Sequence, residues 1–442
     1  MNFPANKPTF TIKTLGCKVN QYESQAMRED LVGCGFAEET GRETADFFII
    51  NSCTVTGKAD KDTRSLIRHF HRINPKGKIV VAGCYAELDS DRKELAGIAG
   101  VAYLVRNREK GRIAEILSIS GTGLGLARGQ VSLSGVVSRR DLSPPKRPIP
   151  AGITDFKDRN RAFVKIQDGC DHRCSYCKVS IVRGPSRSRC PEEIVKEVRS
   201  LVEKGFKEIV LTGVSLGAHK NLAGLISEIS RLEGSFRIRL SSIEPGYVTD
   251  ALLGAIKSNS KMCKHLHIPL QSGDDRILRL MKRPYNTKRF AGIIKKIRKH
   301  IPDAAITTDV LVGFPGEDER HFRKTVRFIK KIRPSRMHVF PYSRREGTAA
   351  AKLSHSLSKQ EVKERVKILT DLSKYFSLEF AKRFIGKPQE VLIESQRDRS
   401  TGLLTGYTDR YVRVLTDGPD LFKNCLVSVR SRSPCLDNTQ II

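Results

Sequence analysis

The chain has 442 residues, too many for one ordinary compact domain, and only 39% are apolar, with no run near the roughly eighteen uninterrupted apolar residues of a membrane span. Its 79 Lys plus Arg against 48 Asp plus Glu leave a formal charge of +31, more than solubility requires, which points to a polyanionic partner, nucleic acid first, over a merely solvated basic surface. Eleven cysteines, an odd number, behind an opening "MNFPANKPTF" that lacks a charged and then an apolar region, argue against a disulfide framework. Reduced thiols for metal or catalysis are expected, in a cytoplasmic protein with no membrane partner.

From Thr9 to about Ser118 short apolar runs alternate with helical patterns. "TFTIKTLG", "DFFIIN", "KIVVAG" and "VAYLV" read as strands, with "QYESQAMREDLVGCG" and "KADKDTRSLIRHFHRI" as helices between them. That rhythm predicts a parallel βαβ sheet over 9–120. Cys17, Cys53 and Cys84 then follow the first three strands, at the sheet edge where open α/β sheets bind ligands, so thiols far apart in sequence can converge.

Residues 121–158 break the pattern with Gly and Ser and then "SRRDLSPPKRPIPAG", a linker. Over 159–380 the alternation resumes, with strands "AFVKIQ", "KEIVLTG", "RIRLSS", "HLHIPLQ", "AITTDVLVG" and "RMHVFPYS". Amphipathic helices part them; in "PEEIVKEVRSLVEKG" Ile194, Val198, Leu201 and Val202 share a face. About six β/α units form a partial barrel, too short for the full eight, and its functional loops belong at the strand C-termini. A long helical stretch leads to 384–442, where "EVLIE", "GLLTGYT", "RYVRVLTDG" and "NCLVSVR" predict a small β-barrel. The tail "SRSPCLDNTQII" does not continue that pattern.

Cys170, Cys174 and Cys177 directly follow the first barrel strand. Such thiol density binds zinc or iron. A closed structural zinc site needs a fourth ligand, which must be His172 or Cys190. A [4Fe-4S] cluster on three cysteines keeps one iron open, a position able to chelate the amino and carboxylate groups of S-adenosylmethionine and reduce its sulfonium to a carbon radical.

This C-x3-C-x2-C, with Tyr176 before its last cysteine, resembles the signature of the radical S-adenosylmethionine (SAM) superfamily. The strand-end pieces "LTGVSLGAH", "RLSSIEP", "PLQSG" and "DVLVGFPGE" are similar to that superfamily's cofactor site, which implies contacts from Gly213, Arg239, Ser241, Glu244, Gly313 and Glu317. Within the superfamily, "TLGCKVNQYES", "NSCTVT" and "GCYAE" resemble the three cysteine motifs of the methylthiotransferases, implying a second [4Fe-4S] cluster on Cys17, Cys53 and Cys84. The resemblance spans nearly the whole chain, including "FPYSRREGTAA" and a C-terminal segment similar to the RNA-binding TRAM domain; it departs at Arg344 and Ala350, where the family tends to have Pro. It implies an α/β protein with an N-terminal parallel-sheet domain, a central partial (β/α)6 radical-SAM barrel and a small TRAM-like β-barrel. It also implies radical chemistry with no acid–base catalytic residue, and an electron donor and a sulfur donor that the residues do not identify.

Members of that family modify a tRNA adenosine beside the anticodon or an aspartate of a ribosomal protein, and the basic excess favours RNA. "LGCKVNQYES" is most similar to the group acting on N6-threonylcarbamoyladenosine 37, whereas the isopentenyladenosine group typically has Gln after this cysteine. The alternatives are an isopentenyladenosine or aspartate methylthiotransferase and, in another class, a zinc-containing RNA-binding protein. Candidate phosphate contacts are "KKIRKHIP", "RKTVRFIKKIRPSR" and "YSRRE"; Tyr407, Arg410, Tyr411 and Arg413 interleave rings and cations in a way that suits stacked bases, or equally core packing. Cys34, Cys190, Cys263, Cys425 and Cys435, with histidines 69, 71, 265 and 267, are read as structural.

Overall fold

A computed structural model of the chain describes residues 7–39, 44–119, 152–157, 159–354, 357–435 and 439–441. Most of the expected linker therefore lies outside the described residues. Contacts divide the chain into two units: the described part of Met1–Lys157 with Gly169–Asp171 and Cys177–Pro185, and Asp158–Asp168 with His172–Tyr176 and Ser186–Ile442.

In the first unit the strands are β1 (Thr9–Thr14), β2 (Ala37–Glu38), β3 (Phe47–Ser52), β4 (Lys78–Gly83) and β5 (Val101–Val105), in the order β2-β1-β3-β4-β5 and all parallel. The helices are α1 (Lys18–Gly33), α2 (Gly57–Ile73), α3 (Asp89–Ala96) and α4 (Ile113–Ile119). Strand β3, "FFIINS", is buried along its whole length, and its period-2 alternation feeds two cores. Phe47 and Ile49 join Phe10, Met27, Leu31, Ile113 and Ile116 on the α1/α4 side. Phe48 and Ile50 join Ile67, Phe70, Val81 and Leu95 on the α2/α3 side. Because Thr14 pairs with Asn51 and Ser52 with Gly83, β1, β3 and β4 end level with one another.

In the second unit the parallel strands β6 (Arg161–Asp168), β8 (Glu208–Gly213) and β9 (Arg237–Leu240) form one sheet, with β7 (Arg187–Ser188) antiparallel at its edge. Strands β10 (His265–His267), β11 (Ala305–Val312) and β12 (Arg336–Pro341) form another. A parallel bridge from Ser242 to His267 links β9 to β10, so six parallel strands make the expected partial barrel. Between Cys177 and the C-terminal sheet run α5 (Val179–Arg183), α6 (Pro191–Glu203), α7 (Leu222–Ser230), α8 (Asp250–Lys257), α9 (Asp275–Leu280), α10 (Thr287–His300), α11 (Glu319–Ile332) and α12 (Lys359–Lys382). Ile194, Val198 and Leu201 of α6 are fully buried, as their spacing predicts.

The C-terminal strands β13 (Pro388–Arg397), β14 (Leu404–Thr408), β15 (Arg413–Thr416), β16 (Leu426–Arg430), β17 (Ser433–Cys435) and β18 (Thr439–Ile441) form one sheet in the order β16-β13-β14-β15-β18-β17. The tail does continue the sheet, through a parallel β15–β18 pair that strand alternation alone did not signal.

This sheet packs against the N-terminal ends of the barrel strands. Glu208 is fully buried and accepts from Arg237 Nε at 2.6 Å and Arg239 Nε at 2.8 Å, with Arg161 Nε at 3.1 Å. Arg237 and Arg239 also donate to the Tyr407, Thr408 and Asp409 carbonyls. Tyr411 stacks on His265 at 5.2 Å and lies 4.4 Å beneath the Arg239 guanidinium, while Arg161 covers Tyr407 at 4.9 Å. Arg410 donates to the Asp303 carbonyl, and Arg413 pairs with Asp398. Tyr407, Arg410 and Tyr411 thus dock the sheet onto the barrel, whereas Arg413 pairs within the C-terminal segment; packing accounts for the two tyrosines.

Burial opposes ionisation of Glu208, but Arg239, Arg237 and Arg161 outweigh it and hold the carboxyl well below its usual range. A depressed folded pKa stabilises fully above the ordinary carboxylate value and is lost as pH falls through the folded one. Glu208→Gln leaves buried Arg237 and Arg239, with half-buried Arg161, without their shared anion, and we expect a loss of about 3–5 kcal/mol at neutral pH in urea unfolding, shrinking below about pH 4.

Candidate active site

The level ends of β1, β3 and β4 each lead directly into a cysteine. Cys17 is the exposed N-cap of α1, and Cys53 and Cys84 are buried. Gly16 sits at φ +93°, and a Cβ there would stand 2.6 Å from Cys53 Cβ and 2.8 Å from its sulfur; the missing side chain lets the two loops close. Asn20 donates to the Leu15 carbonyl at 2.8 Å and the Ser52 carbonyl at 2.9 Å, tying together the backbones that lead to Cys17 and Cys53. Ser52 Oγ in turn donates to the Ala82 carbonyl and accepts from the Tyr85 amide, bringing in the Cys84 loop. Asn107 Nδ2 lies 3.7 Å from Cys84 Sγ.

Burial pushes the Cys53 thiol up to about 12; the Val55 amide and Arg183 act against that rise, while Cys84 and Cys17 reinforce it. A cationic centre beside Cys53 would reverse that rise. Among the described residues no three His, Cys, Asp or Glu groups converge as ligands of a single metal ion. Three thiols gathered at neighbouring strand ends are soft donors of the kind an iron–sulfur cluster takes.

Cys170, Cys174 and Cys177 lie in the loop after β6. Gly169, at φ +76°, lets the chain pass so close to Pro185 that a Cβ would meet its carbonyl at 2.0 Å, and the Cys170 amide donates to the Gly184 carbonyl. Cys177 Sγ accepts from the Val179 amide at 3.4 Å. Ser175 is anchored through its hydroxyl and amide to the Leu280 and Met281 carbonyls, and Tyr176 meets Phe314 edge-on. Arg283, which no sequence pattern singled out, donates to Cys174 Sγ at 3.2 Å, to Tyr285 and to Glu244. Burial opposes its charge, but Tyr285, Glu244, Tyr176 and Cys174 more than compensate and hold its pKa well above the ordinary value. Glu244 is therefore brought to Cys174 through one buried guanidinium. Of the two residues that could close a zinc site here, exposed Cys190 bonds the Glu192 carboxylate, while the His172 ring packs edge-on against Tyr247 with its Nε2 buried and without a hydrogen-bond partner among the described residues.

At the barrel's strand ends Ser215 Oγ, Ser241 Oγ and Gln271 Oε1 are buried with no hydrogen-bond partner among the described residues. Orphaned buried polar atoms cost about 1–3 kcal/mol each, so their gathering at the ends of β8, β9 and β10 is what a polar ligand site requires. Gln271 holds φ +68°, a strained setting that aims it. Gly213 backs onto buried Gln167, whose amide binds Ser215 N, the Asp168 carbonyl and Ser186 Oγ. Glu317 accepts from the Gly313 amide at 3.1 Å and from Arg365 at 2.8 Å, so it braces the loop after β11, with burial raising its pKa against those partners. Arg239 is a correction: its donors are taken by Glu208 and by C-terminal carbonyls at the other end of the barrel, away from this cradle. Of the remaining cysteines, Cys263 is buried, Cys34 and Cys425 are half-buried, and the Cys435 side chain lies outside those described. His265 and His267 share Thr307 Oγ1, which agrees with a structural role.

Residues 9–105 match the family described as "Uncharacterized protein family UPF0004", and 164–329 match the radical SAM superfamily. The chain is 37% identical to the threonylcarbamoyladenosine tRNA methylthiotransferase MtaB of Bacillus subtilis, over 96% of its own length and 93% of that relative's. The chain belongs to the radical SAM methylthiotransferase family. It is also 34% identical to the tRNA-2-methylthio-N(6)-dimethylallyladenosine synthase of Thermodesulfovibrio yellowstonii, over 92% of each chain. Its fold is similar to that of the radical S-adenosylmethionine methyltransferase TsrM from Kitasatospora setae, with a TM-score of 0.57 at 12% identity, covering 87% of this chain and 81% of that one. In this methylthiotransferase, Gly16→Ala is expected to push the Cys53 sulfur aside. Iron per chain should fall by about half while barrel stability is unchanged, as checked by iron assay and urea unfolding.

Proposed function

We propose that the protein inserts sulfur and a methyl group at C2 of N6-threonylcarbamoyladenosine 37 in tRNA. Cys170, Cys174 and Cys177 would hold one [4Fe-4S] cluster, and Cys17, Cys53 and Cys84 a second. The observation that carries this reading is the convergence of Cys17, Cys53 and Cys84 at three level strand ends, in a chain that also carries the C-x3-C-x2-C loop. When bound, S-adenosylmethionine on the first cluster supplies a radical for a hydrogen that no acid or base can remove, and the second cluster supplies an open iron for sulfur. The chain's part is positional. Ser215, Ser241 and Gln271 offer their unpaired polar atoms to the cofactor, Arg283 steadies Cys174 and Glu244, and Glu317 fixes the Gly313 turn. An electron donor and a sulfur donor complete the cycle.

Mass spectrometry of tRNA nucleosides from cells expressing the protein should show the 2-methylthio derivative of threonylcarbamoyladenosine. Cys53→Ala should abolish it while cofactor cleavage continues; the isopentenyl product alone would instead favour the second branch.

The tRNA reading also draws on a groove of about 410 Å³ beside α9 and α11. Arg276, Arg279, Lys324, Arg327 and Lys331 line it, and its floor is tight because a Cβ on Gly273 would meet Thr325 Cα at 2.7 Å. Each lost phosphate contact removes about 0.7–0.9 from the slope of log affinity against log salt. Replacing Arg279, Arg327 and Lys331 together with Gln should flatten that slope for tRNA by about two and leave urea unfolding unchanged, since all three are exposed.

A further inference from the structure

Helix α9 ends in a turn that its sequence does not announce. Lys282 holds φ +56°; its amide donates to the Arg279 carbonyl, and the Arg283 amide donates to that of Leu278. This pair of bonds makes a left-handed helix cap, a position that glycine usually fills because a Cβ is strained there. Such strain, about 1–3 kcal/mol, persists only where the surroundings fix it. Here the Cys174 loop supplies part of that fixing. The Leu280 and Met281 carbonyls at the same helix end accept from the Ser175 hydroxyl at 2.7 Å and the Ser175 amide at 3.0 Å. One turn therefore both anchors Ser175 and aims the Arg283 side chain at the residue before it.

Arg283 is buried, and its three nitrogens have three different acceptors. Nε donates to Tyr285 Oη at 2.9 Å, Nη1 to Cys174 Sγ at 3.2 Å and Nη2 to the Glu244 carboxylate. Tyr285 Oη in turn donates to the Pro269 and Leu270 carbonyls, just before Gln271, and its ring centre lies 5.0 Å from the guanidinium. The guanidinium is thus fixed by partners from separate loops, and one of its N–H groups is kept on sulfur. A neutral thiol is a weak acceptor, whereas an ionised group binds a charged donor strongly, so this donor suits the deprotonated, metal-binding form of Cys174.

We propose that Arg283 is a positioning residue that sets the reduction potential of the Cys170, Cys174 and Cys177 centre through the Cys174 sulfur. One-electron reduction by the electron donor adds one negative charge to the centre, and a cationic N–H held on its sulfur favours the reduced form. Glu244, on another nitrogen of the same guanidinium, acts in the opposite sense and moderates the effect. The inference rests on the reading that these three thiolates hold an iron–sulfur cluster.

The test uses the full chain with Cys17, Cys53 and Cys84 replaced by Ala, reconstituted anaerobically so that only the barrel centre is present. Its potential is followed by EPR in a mediated titration. Arg283→Gln is expected to lower the reduced-to-oxidised ratio at fixed applied potential about tenfold, a negative shift of about 59 mV for a one-electron couple. Arg283→Lys, which keeps the charge without the fork, should recover part of that shift. Glu244→Gln removes the moderating anion and should shift the potential the other way; it carries the test if Arg283→Gln does not fold. An unshifted potential in Arg283→Gln with the signal intact, or a negative shift in Glu244→Gln, overturns the inference alone. No reducible signal from the parent overturns the cluster assignment and the inference with it.

Discussion

Three thiols that repel one another as thiolates are held at the level ends of β1, β3 and β4, and the first unit is organised around keeping them there. Parallel pairing makes this possible, because strands in register end together whatever the chain length between them. The cost is visible. Gly16 and Gly83 take positive φ, Asn20 and Ser52 spend their hydrogen bonds on neighbouring loops, and one buried carboxylate shares two buried cations. Each feature alone is a local irregularity; together they hold the three cysteine loops side by side.

The barrel divides stability and chemistry between its two ends. At the N-terminal ends Glu208 pairs with three guanidinium groups, and the C-terminal sheet covers them with tyrosines and carbonyls. At the C-terminal ends the opposite holds, since Ser215, Ser241 and Gln271 keep polar atoms unpaired and Gln271 is strained. Unpaired atoms weaken the folded protein and are tolerated where a ligand completes them. The same barrel therefore gathers its buried ion pairs at one end and unpaired polar atoms of strand-end loops at the other.

Much of this was legible from the residues. Four of the five N-terminal strands read as apolar runs, two-residue β2 being the exception, and all six barrel strands fall where "AFVKIQ" through "RMHVFPYS" places them, because strands buried on both faces are nearly continuous apolar segments. The two cysteine trios were visible through spacing and strand-end position. Arg283, Arg183 and Gln167 were not, because a single buried Arg or Gln acquires its meaning from partners distant in sequence: Arg283 meets Glu244, and Arg183 meets Glu23. Arg239 and the C-terminal tyrosines misled for the same reason. Beside a strand end or a run of cations they resemble ligand contacts, and only the docked sheet reveals that their groups are already engaged.

Iron, zinc and sulfide content with EPR, on anaerobically reconstituted protein, bears most directly on the two-centre architecture. The wild type should hold about eight irons per chain, and triple Ala variants of Cys170, Cys174 and Cys177 or of Cys17, Cys53 and Cys84 about four each, with different signals. Zinc without a reducible iron signal, or a triple variant that keeps about eight irons, would contradict it.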